Sequence, residues 1–514
     1  MTRLLLISLL VLFFALPLFA QSVDTAWVRL YNGLANNYDA ASAIAVDGSG
    51  NVYVTGTSHA SETALDYTTI KYGSNGDTAW VRRYDGPLSS YDQASAIVVD
   101  DSGNVYVTGG SWGTVTTTDY ATIKYYPNGD TAWVRRYNGT GNSADEARAL
   151  AVDDSGNVYV TGYSYGSGTF NDYATIKYYP NGNTAWVRRY NGSGNLNDEA
   201  YAIDVDSSGN VYVTGRSFGS GTSYDYATLK YYASGDTAWV RRYNGPGNSG
   251  DEARAIAVDG SGNVCVTGNS YGSGTYNDYA TLKYYLNGDT AWVRRYNGPS
   301  NDYDRANALA VDISGNVHVT GRSWGSGTSD DYVTLKYYPN GDTAWARRYN
   351  GPGDFSDEAL AIAVDDSGKV YVTGYSSQFS SYPFNVDYAT LRYNSDGTTA
   401  WERRYNWTAD NDDQALAIAV DGSGNVYVTG YSFGSGTSYD YVTIKYVQFL
   451  RGDANGDKKV TIADIVYLVS YLFKFGPAPD PLSSGDANCS SKVDIADIVY
   501  LVSYLFKFGP APCI

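Results

Sequence analysis

The chain has 514 residues, a formal net charge of −18 and 52 tyrosines. This acidic balance argues against nucleic acid and anionic membrane surfaces as partners, because both attract clustered positive charge. The small charged fraction and the many aromatic residues favour strands over coil, since aromatic and β-branched side chains fit pleated surfaces.

Residues 1–20, at the start of the sequence, consist mainly of an apolar stretch. Arg3 precedes the stretch, Pro17 interrupts it and the small residue Ala20 ends it, as in an export signal that is cleaved. A retained membrane anchor is the alternative, although the stretch is short for a span and no second one follows in the sequence. We therefore expect a secreted, extracellular protein without membrane insertion after signal removal, with cell-surface association left open.

From residue 24 to about residue 446 one unit occurs eight times. The tryptophan of the phrase TAWVRRY marks each unit; six of the seven spacings are 53 residues and the last is 56. The marker residues are Trp27, Trp80, Trp133, Trp186, Trp239, Trp292, Trp345 and Trp401. A fixed period of this size indicates a modular array in which each unit buries its faces against its neighbours.

Within one unit, turn signals separate four short segments. Segments 147–153, 157–164, 172–179 and 184–190 are predicted antiparallel strands, with DSGN and PNGN as two of the turns. Apolar or aromatic residues occupy both faces, as expected for a small sheet stacked between two others. Eight such units predict an all-β fold, an eight-bladed β-propeller of four-stranded blades over residues 24–447.

The phase of the repeat predicts a closed ring. The array begins with the strand at 25–31 and ends one strand short of a full unit, at 440–446. The N-terminal strand can therefore complete the last sheet and leave no terminal sheet exposed. An open solenoid, or a ring that one unit fails to enter, is the alternative.

The phrase AIAVDGSGNVYVTG, followed by DYATIKY and NGDTAW, resembles the bacterial β-propeller repeats called SBBP. The resemblance extends over residues 24–446 and is specific because the phrase recurs. It implies an exported propeller, usually without an assigned activity. It implies no catalytic residue.

The loops between second and third strands and the crossings between units are long and lie on one face, where binding residues tend to concentrate. These loops carry an aromatic residue at a shared position: Trp112, Tyr165, Phe218, Tyr271, Trp324 and Phe433. The seventh unit instead has an insertion with Phe379, Tyr382 and Phe384. Such rings can stack on sugars or accept a partner protein; alternatively, each ring packs onto its own loop or the next blade.

A non-catalytic protein is favoured over an enzyme. Catalysis needs an asymmetric constellation of groups, whereas the acids of the crossings recur in equivalent settings and are expected to bond to neighbouring turns. These acids are Asp145 with Glu146, Asp198 with Glu199, Asp251 with Glu252, and Asp357 with Glu358. His59 is placed on a loop, while His318 and Cys265 replace a strand tyrosine and are expected to be core residues.

After residue 446 a segment of about 33 residues is duplicated, at 452–479 and 485–512. Each copy sets oxygen donors at calcium-loop spacing before an apolar helix, at 465–473 or 498–506. The first set is Asp453, Asn455, Asp457, Thr461, Asp464 and the carbonyl of Lys459. The second set is Asp486, Asn488, Ser490, Asp494, Asp497 and the carbonyl of Lys492. We expect two Ca²⁺ sites, the second weaker because Ser490 removes a carboxylate.

The duplicated segment is similar to a type I dockerin over residues 452–514. The resemblance implies docking to a cohesin-like or other surface protein. Lys458 and Ser491 depart from the pattern, because the usual residue at this sharp turn is glycine. The pairs at 462–463 and 495–496 occupy a usual contact position, and their apolar character indicates a partner unlike that of cellulosomes. A calcium-stabilised clasp that packs on the propeller or on another protein is the alternative.

Cys489 and Cys513 are expected to form a disulfide after export. By the chain-entropy account, closing this loop contributes on the order of 3 kcal/mol.

These observations favour a secreted, non-catalytic β-propeller that presents a protein- or carbohydrate-binding face and is docked through a calcium-dependent tail. A polysaccharide-active enzyme or lectin with the same tail is the main alternative, and a purely structural surface protein is another.

Overall fold

The computed structural model describes residues 22–60, 64–114, 117–378, 385–407, 411–434, 436–507 and 509–512. The chain divides into two compact units, Thr25–Tyr446 and a second unit that contains the residues from Val447 onward together with those before Thr25. The expected export segment at 1–20 lies outside the described residues. So do Phe379, Tyr382, Phe384 and Cys513.

The described part of Thr25–Tyr446 forms eight four-stranded antiparallel sheets, which we call blades 1 to 8. Blades 1 and 2 contain β2 (Asp39–Val46), β3 (Val52–His59), β4 (Leu65–Tyr72), β5 (Thr78–Tyr84), β6 (Asp92–Val99), β7 (Val105–Trp112), β8 (Thr118–Tyr125) and β9 (Thr131–Tyr137). Blades 3 and 4 contain β10 (Asp145–Val152), β11 (Val158–Tyr165), β12 (Asn171–Tyr178), β13 (Thr184–Tyr190), β14 (Asp198–Val205), β15 (Val211–Phe218), β16 (Tyr224–Tyr231) and β17 (Thr237–Tyr243).

Blades 5 to 8 repeat the pattern. Blades 5 and 6 contain β18 (Asp251–Val258), β19 (Val264–Tyr271), β20 (Asn277–Tyr284), β21 (Thr290–Tyr296), β22 (Asp304–Val311), β23 (Val317–Trp324), β24 (Asp330–Tyr337) and β25 (Thr343–Tyr349). Blades 7 and 8 contain β26 (Asp357–Val364), β27 (Val370–Ser377), β28 (Val386–Tyr393), β29 (Thr399–Tyr405), β30 (Asp413–Val420), β31 (Val426–Phe433) and β32 (Tyr439–Phe449), with β1 (Ser22–Tyr31) as the fourth strand of blade 8.

The predicted ring closure is confirmed. The strand order of blade 8 is β1-β32-β31-β30, so the N-terminal strand completes the last sheet. The predicted eight-bladed propeller is confirmed with it. Because the ring is closed, no blade is left exposed at an end of the array, and such an exposed end would favour aggregation.

Aspartate side chains fix the turn between the first two strands of each blade. In blade 3, one oxygen of Asp153 accepts the backbone N–H groups of Ser155 and Asn157, at 3.0 and 2.9 Å. The other oxygen accepts the side-chain amide of Asn157 and the hydroxyl of Tyr159, both at 2.8 Å. The repeated phrase DSGNVY is therefore a self-capped turn rather than a metal loop.

The inner strand of each blade carries a β-bulge at its fourth residue. In blade 3, Ala147 pairs with Gly162 and Ala149 with Thr161, which leaves Arg148 unpaired. Gly162 is required beside the bulge, because a Cβ atom there would collide with the carbonyl oxygen of Glu146. A bulge re-aims one side chain without breaking the sheet.

The hydrophobic cores lie between blades. One cluster joins Tyr159, Tyr173 and Trp186 of blade 3 to Val213 and Leu229 of blade 4. Both faces of each sheet are therefore apolar, as the sequence pattern predicts. Tyrosine hydroxyls on the third strands add one hydrogen bond to a backbone carbonyl at every blade interface, at 3.1 to 3.4 Å.

The second compact unit contains two helices, α1 (Ile462–Lys474) and α2 (Ile495–Lys507), and a short 3₁₀ turn at Leu482–Gly485. Both helices start three residues earlier than predicted. Thr461 caps α1 and Asp464 completes a capping box. At the start of α2, Asp494 accepts the backbone N–H of Ala496. Leu468 and Leu501 form the centre of a small core with two alanines. None of the helices among the described residues is both long and apolar enough to cross a membrane.

Candidate functional site

The first residue of every inner strand is a buried aspartate that accepts a backbone N–H of the crossing, and in blades 1 to 5 it also accepts one from the start of the long loop. In blade 3, Asp145 accepts Gly139 N–H of the crossing at 2.6 Å and Tyr165 N–H of the long loop at 3.1 Å. Burial raises the pKa of these carboxyls, to about 6 for Asp304 and Asp357. These aspartates hold the loops together on one face, which we call the loop face.

The six predicted loop-face aromatics separate into two groups. Trp112 and Trp324 are 36% and 40% exposed and lie in blades 2 and 6, on opposite sides of the ring. The other four are half-buried against rings of their own blade. Their contacts are Tyr165 with Phe170, Phe218 with Tyr224, Tyr271 with Tyr276, and Phe433 with Tyr439. The two tryptophans are thus the members of this set with exposed rings.

The expectation that the crossing acids lie in equivalent settings is wrong for the glutamates. Glu358 is 3% exposed and contacts Arg305, Arg322 and the hydroxyl of Tyr375. Glu146 instead pairs with an arginine of its own strand and accepts a tyrosine hydroxyl. The reason is that the residues around each glutamate differ from blade to blade while the backbone does not.

These glutamates belong to a larger group at the inner ends of blades 3 to 7, which we call the polar arc. Its arginines are Arg148, Arg216, Arg254, Arg305 and Arg322. Its acids are Glu146, Glu199, Glu252, Asp330 and Glu358. Its tyrosines are Tyr163, Tyr201 and Tyr375, and its amides are Asn269 and Asn307. Innermost strands line the central channel of a propeller, so the polar arc faces the loop-side end of that channel.

In blades 3 and 4, arginines bridge neighbouring blades. Arg148 pairs with Glu146 at 3.2 Å and lies over the rings of Tyr163 and Tyr201, 5.4 and 6.0 Å from their centroids. Arg216 pairs with Glu199 of its own blade at 3.0 Å. It also reaches Glu252 of blade 5, at 3.3 Å.

In blade 5 the arc continues through Arg254. This arginine pairs with Glu252 at 2.6 Å and donates from Nε to Asn269 at 3.3 Å. Burial lowers the pKa of Arg254; Glu252 opposes this shift and the nearby charge of Arg305 adds to it. The guanidinium groups of blades 5 and 6 therefore share one region.

In blades 6 and 7 the arc converges on Glu358. Arg305 forms a short ion pair with this carboxylate, Asn307 donates to it at 2.9 Å, and Arg322 lies 3.7 Å away. Arg322 also pairs with Asp330 at 2.9 Å. The two arginines hold the pKa of Glu358 below its usual range, although burial alone would raise it.

Comparison of the repeats could have found the polar arc. The inner strand keeps aspartate first and alanine third in all eight units, but its second and fourth residues vary. The sixth residue of the second strand also varies, although the VTG triplet before it and the serine after it are the same in every unit. The arc consists of these variable positions together with Asp330.

The two residues that replace a strand tyrosine lie in the core, as predicted. Cys265 is a free, fully buried thiol, and burial raises its pKa to about 12. His318 is also fully buried, with Nε2 3.0 Å from Asp312. His59 ends β3 on the loop face. Neither histidine is positioned with a nucleophile among the described residues.

The first predicted calcium loop, in the second unit, gathers carboxylates around its own backbone. Asp453 accepts the N–H groups of Asp457 and Lys458, at 3.0 and 2.8 Å. Asp464 accepts those of Asn455 and Thr461, at 3.1 and 2.8 Å. Burial raises the pKa of both Asp453 and Asp464, and the charge of Asp457 raises them further. An all-oxygen donor set with uncompensated negative charge fits a hard cation.

The second loop has the same backbone but a different charge environment. Asp486 and Asp497 accept backbone N–H groups as their counterparts do. Arg451, which precedes the first half of the repeat, lies 3.3 Å from Asp486. Its counterpart before the second half, residue 484, is a serine. Lys458 and Ser491 adopt φ of 65° and 66°, the left-handed region that glycine favours.

The loop carboxylates are not drawn together into a tight cluster. Among the described residues, Asp66, Asp85 and Asp92 form a group whose ligand atoms all lie within 4.8 Å of one another. Asp66 is already paired with Arg83 at 3.3 Å, and we assign no metal there.

Cys489 takes part in a disulfide; Cys513, its expected partner, lies outside the described residues.

The β-propeller repeat SBBP matches the chain over residues 26–61, 79–115, 132–168, 185–221, 291–327 and 403–436. Each match begins in the fourth strand of one blade and continues through the crossing into the first two strands of the next. The matched segments include the first two strands of blades 3, 4 and 6, but not those of blades 5 and 7, which also contribute to the polar arc.

Solved structures share only distant similarity with the chain. A PL25 polysaccharide lyase, an ulvan lyase, is 10% identical, with 82% of this chain and 94% of that chain covered and a TM-score of 0.38. The β-propeller domain of the trilobed protease from Pyrococcus furiosus is 8% identical, with 72% and 97% covered and a TM-score of 0.40. A protein of unknown function from Dyadobacter fermentans is 9% identical, with 82% and 98% covered and a TM-score of 0.38.

No curated protein sequence matches the chain. The fold assignment therefore rests on the strand pairing of the chain itself.

Proposed function

We propose that the chain is an exported, non-catalytic β-propeller that binds a protein or carbohydrate on its loop face and is docked through its calcium-dependent C-terminal unit. The export pattern at residues 1–20 supports an extracellular location. The dockerin-like duplication supports the docking role, with a cohesin-like or other surface protein as partner.

A duplicated apolar surface on the two helices carries the proposal. Ile462, Val466 and Phe473 of α1 are each about 60% exposed. Their counterparts on α2 are Ile495, Val499 and Phe506, exposed to the same extent. Solvated helices place polar residues on such positions, and an exposed apolar patch marks an interaction site. The same stripe occurs twice, which suits a partner that recognises either half of the repeat.

Calcium would be held by the six donors of each loop, with carboxylates at Asp453, Asp457 and Asp464 in the first. A bound cation would neutralise these charges and fix the start of each helix. Asp464 already links the loop to the helix, because it accepts N–H groups from both the loop and the cap. Loss of the cation should therefore disturb the helix surface as well as the loop.

Affinity capture from the native secretome tests the docking role, with the full chain immobilised in Ca²⁺ or in a chelator. The informative variant is Val466→Asp with Val499→Asp, since both valines are exposed and neither is in the helix core. Ile313→Asp is a matched control, because Ile313 is 80% exposed on a propeller turn. We expect one partner set that the chelator and the double variant both abolish and the control retains. Capture that survives both treatments would contradict docking.

A second candidate is a polysaccharide-active enzyme or lectin carrying the same tail. The observation in its favour is the polar arc, in which carboxylates have unequal environments, as paired acid and base groups require. Reducing-end assays on a polysaccharide panel distinguish the two. Turnover that Glu358→Gln abolishes would replace the non-catalytic assignment.

A further inference from the structure

We propose that the polar arc is the ligand site of the propeller and that its ligand is a neutral saccharide. The proposal rests on the binding function proposed above and moves the site from the loop-face tryptophans to the inner ends of blades 3 to 7.

Divergence among the repeats is concentrated at the arc. The second inner-strand residue is glutamate in four blades, and Ala40, Gln93, Arg305 or Gln414 in the others. Neighbouring positions that fix the bulge and the core do not change. A purely architectural ring would keep these positions uniform too, because the backbone around them repeats from blade to blade. Residues that vary on a constant frame are available for recognition.

The charge of the arc is balanced. Its five arginines face five carboxylates, so a charged ligand would have to displace one partner of an existing pair. A neutral polyol does not, since each hydroxyl can donate to a carboxylate and accept from a guanidinium at once. The arginine side chains are 28% to 38% exposed, which leaves them accessible to such a ligand.

Several polar atoms of the arc have no partner among the residues that the structure describes. In this part of the chain the Nε atoms of Arg216, Arg305 and Arg322 make no hydrogen bond, and neither does Oδ1 of Asp330. Asp330 is 6% exposed, and a buried polar atom without a partner is costly. Donors and an acceptor left open in one region fit the hydroxyls of a sugar.

The remaining blades carry no charged residue at the positions of the arc, and blade 8 holds Gln414, Leu416 and Tyr431 there. In blade 1 the three equivalent positions hold Ala40, Ser42 and Thr57. In blade 2 they hold Gln93, Ser95 and Gly110. The channel end therefore has one charged side, in blades 3 to 7, and one uncharged side. A ligand at this end would contact the arc on one side only.

Isothermal titration of the full chain with cellohexaose, xylohexaose and mannohexaose, and with trigalacturonate as an acidic probe, tests the proposal. The informative variant is Glu252→Gln with Arg254→Ser, because glutamine and serine occupy these positions in blade 2. The repeat frame therefore tolerates both residues. Asp154→Asn, on an exposed turn at the other face, is the control. We expect at least one neutral probe to bind, and the double variant to weaken it about tenfold or more.

Three results would overturn the proposal. Binding of trigalacturonate alone would show an anion site. A second contrary result is binding that persists in the double variant but is lost when Trp112→Ala is combined with Trp324→Ala. It would place the site at the loop-face tryptophans and leave the proposed binding function intact. Failure of every probe would reject a saccharide ligand, whereas docking by the C-terminal unit is measured separately and would stand.

Discussion

The hydroxyl of Tyr441 donates a hydrogen bond to the carbonyl oxygen of Thr68 at 3.3 Å, which joins blade 8 to blade 1. The same bond joins Tyr226 to Ala280 between blades 4 and 5, at 3.1 Å. The seam at which the ring closes is thus built like an interface in the middle of the array.

Tyr441→Phe should therefore cost as much stability as Tyr226→Phe. Each change removes one buried hydrogen bond, worth about 1 kcal/mol, and each carbonyl keeps a threonine hydroxyl, from Thr55 or Thr267. Urea unfolding of both variants measures the two losses. A loss at Tyr226 without one at Tyr441 would mean that the ring is open in solution.

Blade 8 lacks an ion pair that the other seven blades share. Elsewhere an arginine of the fourth strand pairs with an aspartate of the third, as Arg242 does with Asp225 at 2.7 Å. In blade 8 the aspartate is Asp440, but the fourth strand is β1 and its residue at that position is Leu30, 39% exposed.

Leu30→Arg should stabilise the protein, by about 1 kcal/mol, because Asp440 is largely buried and charge-assisted bonds to such groups are the stronger ones. Arg242→Leu is the matched reverse change and should lower stability by at least as much. Thermal unfolding of both variants checks the pair. If Leu30→Arg brings no gain while Arg242→Leu is costly, β1 does not sit in the register inferred for it.

Much of the propeller could be predicted because its signals are local. The turn DSGN and the phase of the 53-residue period were enough for strand order and ring closure. The polar arc could not be predicted in the same way, because Arg216 and Glu252 come from different blades and meet only once the ring is built. The bulge at Arg148 adds to the difficulty, since regular alternation would not predict where that side chain points.

His318→Tyr should stabilise the protein more at pH 5 than at pH 8. Burial lowers the pKa of His318 below its usual 6.5, so the folded state binds fewer protons and stability falls as pH decreases through that value. Tyrosine does not titrate in this range and at this position bonds the turn aspartate, as Tyr212 does with Asp206 at 2.9 Å. Melting temperatures of both proteins at the two pH values test this.

Cys265→Tyr is the control for the histidine, because it makes the equivalent change in the neighbouring blade. Burial raises the pKa of Cys265 to about 12, so the thiol stays protonated in the folded protein. The change in melting temperature caused by Cys265→Tyr should therefore be the same at pH 5 and pH 8. An equal pH dependence in both variants would assign the effect to other groups.

The two predicted calcium loops should differ in Ca²⁺ affinity for a reason that the repeat pattern alone does not give. Ser490 replaces the carboxylate of Asp457, and Arg451 pairs with the first donor of the second loop, Asp486, at 3.3 Å. A cation at the second loop would have to compete with the guanidinium, and Ca²⁺ affinity rises with the negative charge of the ligand set.

Arg451→Ser should therefore raise the Ca²⁺ affinity of the second loop several-fold and leave the first unchanged, because serine is the counterpart of Arg451 in the repeat. Ser490→Asp should act in the same direction, and the two changes should add. Calorimetric titration with Ca²⁺ in an Asp464→Asn background, which removes a first-loop donor, isolates the second loop. Asp497→Asn in the otherwise wild-type protein removes a second-loop donor and so isolates the first loop. If Arg451→Ser weakens the second loop instead, the arginine supports the loop rather than competing with the cation.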